Sequence, residues 1–330
     1  MSAAPDDATP MRLLDGAAVD ALATAELGLA AAEAAARLDP GKVATGRLQV
    51  NGDVSWSRIM SGSLTDLDVF GYKEFHRVGK RVRYHIHVFR ESDGNPLGIV
   101  DGRRITSLRT SSLAAVAVRA WARGQAEGRS VRVGVIGSGE EAREGLRALR
   151  GAVPVERASV FSPTPANRKA YADELGAALD LQIDPLDSQD AVLADCDVLY
   201  VATSSKNEPI LGAADLGNIP MVAAVGATQR IDRELRGDVF PGSVVVVDAL
   251  DAVLESGDGH EAIEQGWDPQ SSLLLGDYLD RPDRDTTRTL FKSIGSVEQD
   301  LVLALHLLQA AEEQDLGTVV DPIGSLRLMR

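Results

Sequence analysis

Residues 131–142 read as a buried strand, a glycine turn and the start of a helix: Val131-Arg132-Val133-Gly134-Val135-Ile136, then Gly137-Ser138-Gly139-Glu140-Glu141-Ala142. In this G-x-G-x-x-A pattern Gly137 permits the tight turn and Gly139 lets the backbone approach a pyrophosphate. Ala142 keeps the helix close to the strand, and the helix N-terminus faces the anion. That is the chemistry of a dinucleotide site; the plainer alternative is a glycine turn in a fold that carries no ligand. The next strand selects the nucleotide. An NAD site sets Asp or Glu at the end of the second strand to bind the ribose 2′-hydroxyl. Here Ala158–Phe161 runs into Ser162-Pro163-Thr164-Pro165-Ala166-Asn167-Arg168, with no acid at its tip. Hydroxyls at Ser162 and Thr164 with the Arg168 guanidinium suit a 2′-phosphate, so NADP(H) is expected over NAD(H). The alternative is a capped helix start with Arg168 solvated on its first turn.

Reduction or oxidation by a nicotinamide also needs an anchored substrate and a proton source. Lys73, in Gly71-Tyr72-Lys73-Glu74-Phe75, stands out because the chain has only six lysines against 28 arginines. Where a simple surface charge is wanted arginine is the usual choice here, so a lysine invites a proton-transfer reading; taken alone it is an ordinary solvated side chain. Arg109 and Thr110 lie in Thr106-Ser107-Leu108-Arg109-Thr110-Ser111-Ser112, at the start of a helix expected to link two domains and face the cleft between them. Arg109 suits a bidentate carboxylate clamp and Thr110 a cofactor phosphate or a substrate; the alternative is capping by Ser107 or Thr110. Arg47 is a second candidate carboxylate ligand. His85 and His87 share one strand face, and no carboxylate spacing around them supports a metal, so none is expected. Cys196 is alone, which excludes a disulfide within the chain, and its apolar surroundings make it a small buried hydrophobe rather than a nucleophile.

Two regimes of pattern must position these residues. Residues 1–10 read as a frayed acidic leader, and Ala17–Leu38 as one helix stopped by Asp39-Pro40-Gly41. From Arg47 to Phe89 the pattern alternates, most clearly where Val82, Tyr84, Ile86 and Val88 share a face, and Asp93-Gly94-Asn95-Pro96 turns the chain into a hairpin. This is a mostly antiparallel α+β unit. After a helix at Ser111–Arg123, Val-rich runs at Val131–Ile136, Ala158–Phe161, Val198–Ala202, Met221–Val225 and Val244–Val247 alternate with helical stretches such as Glu140–Leu149 and Ala166–Leu175. Strand and helix alternating in this way make a doubly wound parallel α/β domain. Ser296–Gln314 is a last amphipathic helix, and Asp251–Asp285 carries no clear pattern. The net charge of −15, from 49 acids against 34 bases, is the wrong sign for a nucleic acid or an anionic membrane surface. No apolar run approaches the ~18 residues of a membrane span and the N-terminus lacks an apolar signal segment, so a cytoplasmic protein is expected.

Taken together and in order, several motifs resemble the ornithine cyclodeaminase/mu-crystallin family over nearly the whole length. They are Gly71-Tyr72-Lys73, Gly94–Gly102, Ile105–Thr110, Gly137-Ser138-Gly139, Val201-Ala202-Thr203-Ser204-Ser205, Ala224–Thr228 followed by Arg233-Glu234-Leu235, and Phe291–Gly295 leading to Gln299-Asp300. The resemblance implies an α/β Rossmann domain, at 113–292, inserted into a smaller α+β substrate-binding and dimerisation domain made of 1–112 and a returning helix in 293–330. It implies a homodimer. It places a catalytic lysine at Lys73 and carboxylate-binding arginines at Arg47 and Arg109. Cofactor contacts fall on Thr110, on Gly137, Ser138, Gly139, Glu140 and Glu141, and on Ala202, Thr203, Ser204 and Ser293.

One departure separates the family's chemistries. Cyclodeaminases end the Gly-x motif after the fifth strand in an Asp that serves as base; this chain has Gly226-Ala227-Thr228. A hydroxyl has no basicity to take up a further proton near neutral pH and cannot replace that base, although Thr228 can orient a water or the nicotinamide amide. The acid some members use to hold a distal amine is missing too, Asp53 being nearest. The expected activity is therefore NADPH-dependent reduction of a C=N bond beside a carboxylate. Arg47 and Arg109 would hold the carboxylate, and Lys73, its basicity lowered by the two arginines, would serve the nitrogen. The alternatives are an amino-acid dehydrogenase or ornithine-type cyclodeaminase, with Asp232 as a substitute base, and an NADPH-carrying binding protein without turnover.

Overall fold

The computed structural model describes residues 9–124, 129–280 and 288–322. Residues 1–8 of the expected leader, 281–285 of the unassigned stretch and 323–330 of the last segment lie outside them. The chain opens with β1 (Met11–Leu14), α1 (Gly16–Leu22) and α2 (Ala25–Ala36). Five strands follow: β2 (Val43–Asn51), β3 (Ser55–Leu64), β4 (Val69–Val78), β5 (Arg81–Arg90) and β6 (Pro96–Asp101). After α3 (Arg103–Arg123) come β7 (Val131–Ile136), α4 (Glu140–Ala152), β8 (Val155–Phe161), α5 (Pro165–Leu179), β9 (Ile183–Pro185) and α6 (Gln189–Leu193). Then come β10 (Val198–Val201), α7 (Ala213–Leu216), β11 (Met221–Ala224), β12 (Val244–Val247), α8 (Asp251–Glu255) and α9 (Gly257–Glu264). The chain closes with β13 (Leu273–Leu274), α10 (Leu275–Leu279), β14 (Thr289–Lys292), α11 (Val297–Glu313) and β15 (Thr318–Val320).

These elements form two units, one of residues 1–27, 37–106 and 296–330 and one of residues 28–36 and 107–295. The borders fall inside α3 and after Gly295 rather than at 112/113 and 292/293, and most of α2 joins the second unit. Its packing explains why. A Cβ on Gly28 would stand 2.5 Å from Ser112 Oγ and 2.9 Å from Leu108, and Arg119 donates to Glu33 at 2.6 Å. The single helix expected over 17–38 is two helices, because the Thr24 hydroxyl accepts from Leu27 N at 3.1 Å and starts α2 afresh.

In the first unit seven strands run in the order β15-β1-β6-β5-β4-β3-β2. The β2–β6 meander is antiparallel, whereas β1 pairs with β6 in parallel. Register aligns Gly62, Gly71, Val88 and Gly98 in one row across four strands. Three glycines in one row leave a trough, and α11 lies in it. A Cβ would come within 3.0 Å of Val297 at Gly62, 2.8 Å of Leu301 at Gly71 and 2.5 Å of Leu308 at Gly98. Close helix approach is thus what these glycines provide.

The second unit is an eight-stranded, wholly parallel sheet, ordered β13-β12-β14-β11-β10-β7-β8-β9. Each face has its own core: Val133, Val135, Tyr200, Ala223 and Phe291 pack with Leu146 and Tyr171 on one side, and Ile136, Leu199, Val222 and Leu290 with Val192, Leu216 and Ala262 on the other. This is the doubly wound arrangement the Val-rich runs predict. The chain leaves β7 toward β8 and returns on its other side at β10, so the topological switch point lies at the C-terminal ends of β7 and β10. Sequence pattern did not show β9, β13 or β14, nor the helices within 251–280. Of these β14 matters most, since it lies fully buried between β11 and β12.

The glycine row gives a direct test. At Gly71 an added methyl overlaps the His87 carbonyl as well as meeting Leu301, so Gly71→Ala should cost about 1–3 kcal/mol, the usual range for overpacking a core. Urea unfolding measures it, and a midpoint equal to that of the parent protein would show that the helix does not depend on the trough.

Candidate active site

Lys73 occupies the centre of β4 on the face covered by α11, in register with Met60 and through it with Arg47. Its side chain is 3% exposed, so it is no ordinary surface lysine. Nζ donates to both oxygens of Asp300, at 3.0 and 3.1 Å, and to Thr106 Oγ1 at 2.9 Å. Phe75 and Tyr84 stand on its flank, with ring centroids 5.8 and 5.7 Å from Nζ. Asp300 is 1% exposed, in the first turn of α11 beside the Leu301 that fills the trough. The sequence reading places arginines near Lys73; the charge that the structure shows hydrogen-bonded to Nζ is the Asp300 carboxylate. Arg47 is exposed on the edge strand β2, on the same sheet face and roughly two strand spacings, about 10 Å, from Lys73. Asp53 is exposed in the β2–β3 turn.

On the opposite sheet face His87 stacks on Tyr72 at 4.6 Å, and burial beside His85 holds its pKa below the usual histidine value. Register supplies the carboxylate that local spacing lacked. Glu74, directly across from His85, pairs with His85 Nε2 at 2.8 Å and with His76 Nδ1 at 3.0 Å. Glu74, His76 and His85 thus bring three groups of metal-ligating type together on this face, where local spacing had offered none.

In the second unit the G-x-G turn has the geometry a dinucleotide needs. Gly137 has φ +119°, and a Cβ there would overlap the carbonyl of Ala202, so the turn after β7 lies against the segment leaving β10. Gly139 caps α4 with nothing within 4 Å of where its Cβ would stand. That open space at a helix N-terminus fits a pyrophosphate. Ala142 is fully buried, while Glu140 is exposed and Glu141 half-buried on the first turn. Ser138 Oγ meets Ser162 Oγ at 3.0 Å, joining the turn to the end of β8. Arg168 is 8% exposed rather than solvated: it donates to the Ser162 carbonyl at 3.1 Å, lies over Phe161 and pairs with the exposed Asp187. Thr164 is the exposed N-cap residue of α5.

The segments leaving β10 and β11 are stitched by groups that sequence reasoning missed. Glu234, fully buried, accepts from Thr203 N at 2.6 Å, Gly226 N at 2.7 Å and Ala227 N at 3.1 Å. Its own backbone nitrogen donates to Asp258 at 2.8 Å, and Lys292 Nζ, at the end of β14, reaches the Ala227 carbonyl at 2.8 Å and Asp258 at 3.5 Å. Burial pushes the Glu234 carboxyl up to about 7 against the pull of Lys292. Ala202 is buried, Thr203 half-buried and Ser204 exposed. Thr228 is half-buried, with its hydroxyl 3.5 Å from Asp232. Ser293 donates to Asp248 at 2.6 Å, and Gly295 N donates to the same carboxylate at 3.1 Å. Gly295 has φ +77°, and any Cβ there would overlap the guanidinium of Arg109. Arg109 and Thr110 are both buried on α3, so neither is a mere helix cap. Cys196 is buried too, and burial, with Asp197, pushes its thiol up to about 12, which leaves it inert.

A profile of the ornithine cyclodeaminase/mu-crystallin family matches residues 68–315. The chain is 24% identical over 279 residues to a delta(1)-pyrroline-2-carboxylate reductase of Bacillus cereus (strain ATCC 10987 / NRS 248), covering 80% of this chain and 84% of that one. The Thermococcus litoralis delta(1)-pyrroline-2-carboxylate reductase, solved with NADH and L-proline, superposes with a TM-score of 0.84 at 26% identity, over 94% of this chain and all of that one. The Paracoccus denitrificans iminosuccinate reductase with NAD+ shares the fold, with a TM-score of 0.86 at 22% identity over 94% and 99% of the two chains. No described helix is long and apolar enough to cross a membrane. With the family's profile matched over three quarters of its length, the chain belongs to the ornithine cyclodeaminase/mu-crystallin family.

Proposed function

We propose that this protein reduces a C=N bond adjacent to a carboxylate, in a cyclic imine acid or open ketimine acid, using NADPH. The observation that carries the reading is the buried Lys73 ammonium, held by Asp300 and Thr106 and walled by Phe75 and Tyr84 on the sheet face that bears Arg47. Reduction of a preformed imine requires one proton at nitrogen, which an ammonium can release. Lys73 supplies that proton, while Asp300 and Thr106 fix where Nζ points. Arg47 and Arg109 bind the carboxylate, the second as a planar fork braced against Gly295. The nicotinamide, when bound, supplies the hydride. Its dinucleotide is held by Thr110, by Gly137, Ser138, Gly139 and the α4 turn with Glu140 and Glu141, and by Ala202, Thr203, Ser204 and Ser293. Ser162, Thr164 and Arg168 take the 2′-phosphate in exchange for the exposed Asp187. Thr228 orients a water or the nicotinamide amide. A second copy of the chain covers the sheet face opposite α11, where Leu48, Val50 and Ile59 stand exposed beside the stacked Tyr72–His87 and Phe70–Phe89 pairs.

The pyrroline-2-carboxylate and iminosuccinate reductases among its relatives support this choice of chemistry. A single feature favours the other direction: Asp232 stands beside Thr228 and offers the basicity that the hydroxyl lacks, as oxidative deamination or cyclodeamination would require.

Three measurements follow. The protein should oxidise NADPH with 1-pyrroline-2-carboxylate or 1-piperideine-2-carboxylate, lose nearly all of that activity in Lys73→Ala, and form no proline from ornithine. Proline from ornithine would hand the base role to Asp232. Arg168→Ala should weaken NADPH more than NADH by about 1–3 kcal/mol, the worth of a charge-assisted contact, and equal losses would refute the 2′-phosphate assignment. Arg109→Lys keeps the charge without the fork, so kcat/KM for carboxylated imines should fall about tenfold or more; parental kinetics would make Arg109 structural.

A further inference from the structure

Three parallel strands present their C-terminal ends side by side, in the order β7, β10, β11. A nucleotide whose phosphates sit at the turn after β7 must run outward across the segments leaving β10 and β11, because ligands of such sheets lie in the crevice beyond these ends. The first gap is closed by contact, Gly137 lying against the carbonyl of Ala202. The second gap is closed by backbone contact as well, Gly226 lying against the backbone of Thr203. One carboxylate spans it: Oε1 of Glu234 takes the Thr203 amide after β10, and Oε2 takes the Gly226 and Ala227 amides after β11.

We propose that Glu234 is a positioning residue that sets the spacing of the β10 and β11 loops, and so the geometry of the nicotinamide end of the cofactor site. It touches neither cofactor nor substrate in this reading; it acts through Thr203 and through the loop that carries Thr228. The position cannot be a chance surface bond. Gly226 lies so close that any Cβ there would overlap the carboxylate, and Asp258 in turn anchors the backbone of Glu234 and Leu235. The titratable groups that interact with Glu234 are Lys292, from β14, Asp258, from α9, and the buried Tyr200, from β10. The Lys292 ammonium reaches the Ala227 carbonyl, so this loop is held from both its donor and its acceptor side. A glutamine in place of Glu234 has one accepting oxygen and an amide group that only donates, so it can hold one loop and must release the other. Neutralising the carboxyl by protonation has the same consequence.

The role given to the two loops rests on the reductase reading above, but the test is made on the cofactor-free protein and does not. Hydrogen exchange followed by mass spectrometry or NMR should show the amides of Thr203 or of Gly226 and Ala227 exchanging about tenfold faster in Glu234→Gln, while those of 131–142 keep their parental rates. With an imine substrate, the same variant should lose about tenfold in kcat with KM changed less than about threefold. In the unaltered protein, exchange at these amides, corrected for intrinsic rates, should rise as pH falls through 7, and Glu234→Gln should lack that dependence. Parental exchange at all three amides in the variant overturns the proposal. So does uniform loss of protection across the sheet, which would make Glu234 a stability residue only. Should the variant not fold, a flat pH dependence at these amides in the unaltered protein overturns it by itself.

Discussion

The contact between Lys73 and Asp300 is the constraint on which the first unit is built. Both groups are withdrawn from water, and each buried ion carries a desolvation penalty of several kcal/mol that only close geometry can offset. Helix α11, which follows the second unit in sequence, must therefore lie within hydrogen-bond distance of the middle of β4. Side chains of ordinary size on the sheet would hold it away. The row Gly62-Gly71-Val88-Gly98 removes them, Val297, Leu301 and Leu308 fill the space, and Asp300 arrives at Nζ as a consequence of apolar packing. The same row explains why glycine stands two residues before the lysine. Neighbours at i and i+2 share a sheet face, so one residue makes room for the helix that the other binds.

The second unit meets a comparable problem at its strand ends, where backbone polar groups leave the sheet with no further ladder to join. It answers with buried side chains. Glu234, Asp258 and Lys292 join β10, β11, α9 and β14, and Asp248 holds Ser293 and Gly295 after β14. Gly295 then limits where Arg109 can lie. The segments after β10, β11 and β14 thus rest on charged side chains drawn in from the surface. A carboxylate accepting several backbone amides is well suited to that task, because it satisfies several donors at one point.

Much of this was legible in the residues. The Val-rich runs and the G-x-G-x-x-A turn marked the parallel sheet and its nucleotide end because buried parallel strands admit little else. The hairpin at 93–96 declared itself through turn chemistry. What stayed hidden was hidden for physical reasons. β14 is four residues long and ends in Lys292, a charge that reads as surface until its partners Ala227 and Asp258 are seen. Asp300 looks like an ordinary acid completing a helix N-terminus. The available clue was its neighbours, since Val297, Leu301 and Ala304 form an apolar stripe and an acid within such a stripe requires a partner. Glu74 and its histidines needed strand register, and Glu234 needed the loops after β10 and β11 brought together; neither is a local property of sequence.

In the proposed reaction the nicotinamide hydride goes to the imine carbon that bears the carboxylate. Mass spectrometry of the product made from 1-pyrroline-2-carboxylate with cofactor deuterated at the transferring position of nicotinamide C4 examines this directly. Proline carrying one deuterium, at the α carbon, is the predicted result. Proline without label, or a label at any other carbon, would contradict it.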